Sequence, residues 1–172
     1  MKITFKITLC GILSSMALIA FILEGLFPPI IIPGARLGLS NIFILLAAII
    51  LGAKYGFASL LIKTVIGSIF SGNVSSIMYS LPAGIVALTA ELLLLCFMKV
   101  SVVSVSVCGS FINTTIQNLT FCLVTNTYEY ISYLPYLSLI GVVSGIFVGF
   151  TVYLIIKKLP INKYFNNLQG EK

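Results

Sequence analysis

Few residues in this chain are equipped for chemistry. Its acids are Glu24, Glu91, Glu129 and Glu171, and it contains no aspartate and no histidine. A Ser-His-Asp triad or a histidine-based zinc site therefore cannot be assembled. No paired aspartates exist to hold magnesium against a diphosphate. No G-x-x-x-x-G-K-[ST] stretch occurs, so the chain does not hydrolyse nucleotides by itself. Cys10, Cys96, Cys108 and Cys122 are scattered without a C-x-x-C pair and read as small hydrophobes within apolar runs. The expectation is a protein with no catalytic residue, no metal and no cofactor, whose polar residues bind or brace.

Three polar groups are candidates. The first surrounds "EGLFPPIIIPGARLGLSN", residues 24 to 41, where Glu24 and Arg36 flank a loop stiffened by proline and loosened by glycine. Such a loop either folds back over its neighbours as a lid or turns at the interface with both charges in water. The second is Lys63 with Glu91, each deep in an apolar run. Lys63 lies nine residues past Lys54 and Glu91 eight before Lys99, which places both roughly 12–13 Å from those basic anchors. A buried ion pair is expected, since pairing is the usual way charges are tolerated at depth; its role is structural or functional. The third is "GSFINTTIQNLTF", where Asn113, Gln117 and Thr120 share one helical face as pocket or interhelical glue.

The elements that position these groups follow from composition. The 172 residues are 59% hydrophobic and only 8% charged, against roughly 25% charged in soluble domains. This composition cannot cover a water-facing surface, so the class is an integral membrane protein. At about 20 apolar residues per span, the length fits one membrane domain over residues 1–172. Six helices are expected, at about 7–27, 37–53, 55–71, 77–98, 102–125 and 135–156. The first apolar run lacks an A-x-A site and reads as a retained helix. The alternating "VSVVSVSV" run opens a long apolar stretch and reads as helix, because a lone strand leaves its backbone unsatisfied in lipid.

Charge then orients the bundle. With both termini cytoplasmic, Lys2, Lys6, Lys54, Lys99, Lys157, Lys158, Lys163 and Lys172 all fall on the inner side, eight of the ten basic residues. The net charge of +6 is a topology signal, and nucleic-acid binding is not expected. Gly141, Gly145 and Gly149 make two consecutive G-x-x-x-G steps, and Gly11 and Ser15, with Ala17 and Ala20, give the first helix a small face. Packing within the chain is the default reading of both patterns, with a partner protein the alternative.

"IPGARLGLSNI" (Ile32 to Ile42), "YSLPAGI" (Tyr79 to Ile85) and "VSVCGSFINTTIQ" (Val105 to Gln117) occur in the order and spacing of one membrane family. The chain resembles the heptaprenyl diphosphate synthase component I, or Gx transporter, family, which is similar to the S components of energy-coupling factor transporters. The resemblance implies a six-helix fold with a small-molecule pocket near the outer face of a bacterial cell membrane. It implies that Gly34, Arg36, Gly38 and Asn41 belong to the lid and the start of the second helix. The small face of helix one would dock a transmembrane coupling protein, with ATPases acting in trans. Tyr79, Asn113 and Gln117 join the substrate candidates. Two positions depart from the family pattern: Lys63 stands where arginine is usual, without its bidentate fork, and Asn113-Thr114-Thr115-Ile116-Gln117 replaces H-N-x-x-Q.

Three functions follow. The chain is a transporter's substrate-binding subunit, or a non-catalytic membrane component associated with heptaprenyl diphosphate synthase, or a membrane scaffold within a redox or lipid-synthesis assembly that binds no ligand. The lid reading makes a direct statement about Arg36. Arg36→Ala is expected to lower ligand retention without unfolding the protein, and unchanged uptake in that variant would remove the lid role.

Overall fold

The computed structural model describes residues 3–26, 38–98 and 100–158. The 27–37 loop, with Gly34 and Arg36, lies outside them, as do Lys99 and the chain from 159 onward. Six α-helices are described: α1 (Ile3–Leu26), α2 (Leu39–Leu51), α3 (Ala53–Phe70), α4 (Ser76–Phe97), α5 (Val102–Thr125) and α6 (Leu134–Lys158), with a 3-10 helix (Tyr128–Tyr133) before α6. Lipid offers the backbone no hydrogen bonds, so each apolar run closes its own as helix. The "VSVVSVSV" run is helical from Val102, and the Ser101 hydroxyl caps it by accepting from the Ser104 N–H at 3.2 Å.

Five of these helices are long and apolar enough to cross a membrane, and α2 is not. Its 13 residues span roughly 20 Å, against about 30 Å of hydrocarbon. The helix expected over residues 37–53 is thus present as the shorter Leu39–Leu51. Both ends are set by glycines in conformations other residues resist, Gly38 at φ 69° and Gly52 at φ 108°. Nine of the 13 residues are buried.

Helix directions follow from the contacts. Ser14 Oγ lies 2.8 Å from Ser59 Oγ, and Phe21 packs on Gly67, so α1 and α3 run parallel. Between them α2 runs the other way, with Ala48 against Gly56. Leu60 packs on Gly84, and Ser68 Oγ meets Ser76 Oγ at 2.7 Å, which makes α3 and α4 antiparallel. Glu91 against Gly109 reverses direction again at α5. Ile3 and Lys158 consequently stand at one end of the bundle, together with Lys6, Lys54 and Lys157.

The core sits around α2. Ile42, Leu45, Leu46 and Ile49 pack with Leu95, Val102, Val105, Val148, Val152 and Ile156. Its other side meets Ala17, Leu60 and Leu88 through Ile44 and Ala48, and Cys10 and Leu13 through Ala47 and Leu51. The three long-spaced glycines of α6 close on α5: Gly141 on Thr114, Gly145 on Val107 and Ser106, Gly149 on Val103 and Ser106. Their packing is thus within the chain. On α1 the small face divides, with Ala17 fully buried while Gly11 and Ser15 face outward.

A Cβ at Gly145 would lie 2.8 Å from the Val107 Cα and 2.9 Å from the Ser106 carbonyl oxygen, both backbone atoms that cannot step aside. Gly145→Ala is therefore expected to destabilise the bundle by about 1–3 kcal/mol, as overpacking does. Nothing lies within 4 Å of a Cβ at Gly11, so Gly11→Ala should not lower thermal unfolding in detergent and should raise it slightly through helix propensity.

Candidate functional site

The site begins where α2 begins. Four backbone N–H groups at a helix N-terminus lack intrahelical partners, and Gly38, the capping residue, brings no side chain to meet them. The carboxylate of Glu24, from the last turn of α1, accepts from the Leu39 N–H instead. A negative group there also complements the helix dipole. Glu24, expected in the lid or in water, is the cap of the neighbouring helix. Gly38 is tight against α6: a Cβ on it would lie 3.0 Å from Ser144 Oγ.

Half a turn into α2, Asn41 meets Lys63. The Lys63 ammonium donates to Asn41 Oδ1 at 3.2 Å and stands 5.3 Å from the centre of the Phe21 ring. Lys63 is only 8% exposed. A charge-assisted hydrogen bond and an aromatic face both favour the ammonium there.

Behind Asn41 a crevice opens between α2 and α3 on one side and α4 and α5 on the other. It is a narrow cleft whose centre accommodates one water-sized group. Ile44, Leu60, Ala87 and Leu88 supply apolar walls, and Asn41, Glu91 and Asn113 the polar groups. Gly84 and Gly109 complete the lining. Each has a neighbour in the space a side chain would need, the Leu60 side chain at Gly84 and the Glu91 carboxyl at Gly109. Such a lining can hold a small group by one carboxyl and two amides while apolar surface excludes water from the remainder.

Lys63 and Glu91 do not pair. The Leu60–Gly84 and Ser68–Ser76 contacts fix the α3–α4 register. In that register Lys63 stands level with position 81 and Glu91 level with position 53. Ten residues of helix, about 15 Å, separate them. Counting depth from Lys54 and Lys99 assumes that the two helices end together, whereas α4 continues past the start of α3.

Of the remaining candidates, Asn113 lines the crevice and Gln117 does not. Tyr79 belongs to an aromatic chain at the other end of α4, edge-to-face with Phe121 at 5.3 Å, which in turn meets Tyr130 at 5.4 Å. Gly84 and Gly109 were not singled out from sequence. A signal existed: Gly84, Ala87 and Glu91, like Gly109 and Asn113, recur at helical spacing and so share faces.

Comparison with known proteins adds a family. The model of heptaprenyl diphosphate synthase component I matches residues 13–155, nearly the whole described bundle. No curated protein and no solved structure matches the chain.

The Asn41–Lys63 contact is open to measurement. A double-mutant cycle with Asn41→Ala and Lys63→Met, read by unfolding in detergent, is expected to give a coupling of about 1–2 kcal/mol, in the range of hydrogen bonds to charged groups. Additive effects would mean that the contact contributes nothing.

Proposed function

The chain belongs to the heptaprenyl diphosphate synthase component I family, and from that premise we propose that it is a substrate-binding membrane subunit of an energy-coupling-factor-like transporter. The cargo is a small molecule, and the subunit carries no catalytic group of its own. The observation behind this reading is the crevice, which Asn41, Glu91 and Asn113 line together with apolar side chains. Polar groups at membrane depth are costly and usually mark a ligand path. In this proposal both termini face the cytoplasm of a bacterial cell, since Lys6, Lys54, Lys157 and Lys158 share one end of the bundle. The loop at 27–37, with Gly34 and Arg36, joins α1 to α2 at the other end and serves as the lid. Gly11 and Ser15, outward on α1, meet the coupling protein, and ATPases act in trans.

A metabolite larger than water requires the seam to widen. Pro82 sits within α4, two residues before Gly84, and lacks the N–H that would hold that turn. Opening at this point moves the crevice wall with the least loss of backbone bonding.

The family's description favours a second reading, a non-catalytic membrane partner of a prenyl diphosphate synthase. Prenyl transfer itself needs metal-bound diphosphate, for which a chain without aspartate offers no cluster. The first experiment is a pull-down of the tagged chain from native membranes, with mass spectrometry of proteins and metabolites. Recovery of a coupling protein with ATPases, or of a retained metabolite that Asn41→Ala releases, supports the transporter reading. Recovery of a prenyl synthase with no small molecule replaces it with the second.

A further inference from the structure

Glu91 and Asn113 open on the same crevice from facing helices, α4 and α5. Among the described residues neither makes a hydrogen bond, whereas Asn41, the third polar wall, already accepts from Lys63. The Lys63 ammonium is thus held on the far side of Asn41 and, by the register of α3 and α4, about 15 Å of helix rise from Glu91. The other described acids lie elsewhere, Glu24 on the α2 N-terminus and Glu129 on the exposed 3-10 helix. A carboxyl group inside a lipid-surrounded bundle is tolerated when something compensates it. No described side chain pairs with Glu91.

The space beside it has a definite size. The Glu91 carboxyl fills the space that a side chain at position 109 would need, so glycine there lets the carboxyl seat beside the crevice, whose centre takes one water-sized group. An anion is excluded by the carboxylate. A divalent ion is disfavoured, because calcium takes six to eight oxygens and magnesium a near-ideal octahedron, and no cluster of three ligating side chains is present among the described residues. A monovalent cation matches both charge and size. The carboxylate and the amide oxygen are hard donors suited to an alkali ion, and the same two groups accept from an ammonium.

We infer that Glu91 and Asn113 form a binding site for a monovalent cationic group, either an alkali ion or the ammonium of a primary amine. This names a ligand chemistry for the crevice on which the proposed function rests. It differs from the anionic or polar ligand that Arg36 alone suggests.

The test uses the full chain in detergent, with choline chloride exchanged at constant ionic strength for sodium chloride, potassium chloride or methylammonium chloride. In at least one of the three, thermal unfolding is expected to rise saturably, by about 3–6 °C at tenfold above half-saturation. The isosteric Glu91→Gln should abolish the rise. If that variant does not fold, Asn113→Ala takes its place and should shift half-saturation to higher concentration. A response to sodium or potassium alone identifies an inorganic ion, and a response to methylammonium alone identifies an amine headgroup. No rise in any salt, or equal rises in wild type and the variant, overturns the site. No partner or transport enters this measurement, so its failure is separable from failure of the transporter reading in the pull-down.

Discussion

The bundle depends on enclosing one short helix. Helix α2 is apolar around nearly its whole circumference and too short to cross the hydrocarbon, so it is stable only where other helices surround it. Lipid tails are as apolar as leucine, so burial as such gives little reason for α2 to be central. Close packing and backbone satisfaction decide its place. Every core cluster contains α2 residues, and its exposed N-terminus is met by a carboxylate from α1. Without α2, helices α1, α3 and α6 lose the packing partner they share.

The seam between α2 and α3 and α4 and α5 is where packing is left incomplete. Elsewhere glycine brings backbones into contact, as at Gly145 on α5 or Gly56 on α2. At Gly84 and Gly109 the same residue leaves room for a neighbouring side chain and borders the crevice. Small residues therefore do two jobs in one fold, closing the α5–α6 interface and making room for side chains at the centre. Serine behaves similarly: Ser14 and Ser59 hold α1 to α3 by a hydrogen bond, while the buried Ser106 hydroxyl beside Gly149 has no partner and acts as a small spacer.

Several positions show how depth and contact differ as kinds of information. Lys63 and Glu91 are both deep, as their distances from flanking lysines indicate, yet α4 continues beyond the start of α3 and the register separates them. Glu24 is near a helix end, as its place before Pro28 indicates, and it accepts from the N–H of Leu39, fifteen residues away. Asn113 and Gln117 share a helical face at a spacing of four, and only Asn113 is level with the crevice. A helical wheel ranks faces; it does not rank heights along a face.

Composition and apolar run length alone determined that this is a multi-pass, all-helical membrane protein, and the absence of aspartate and histidine excluded a Ser-His-Asp triad and a paired-aspartate magnesium site. They did so because the bilayer imposes a single demand, internal backbone satisfaction over a known thickness, that any sequence either meets or fails. The family membership was likewise legible in three short motifs. Tertiary structure alone decided that α2 stops short, that Glu24 caps it, that Lys63 donates to Asn41, and that Glu91 lines a narrow crevice. Those outcomes depend on the relative heights of antiparallel helices and on backbone angles at Gly38 and Gly52. Both are set by contacts between residues far apart in the chain, which no local pattern encodes.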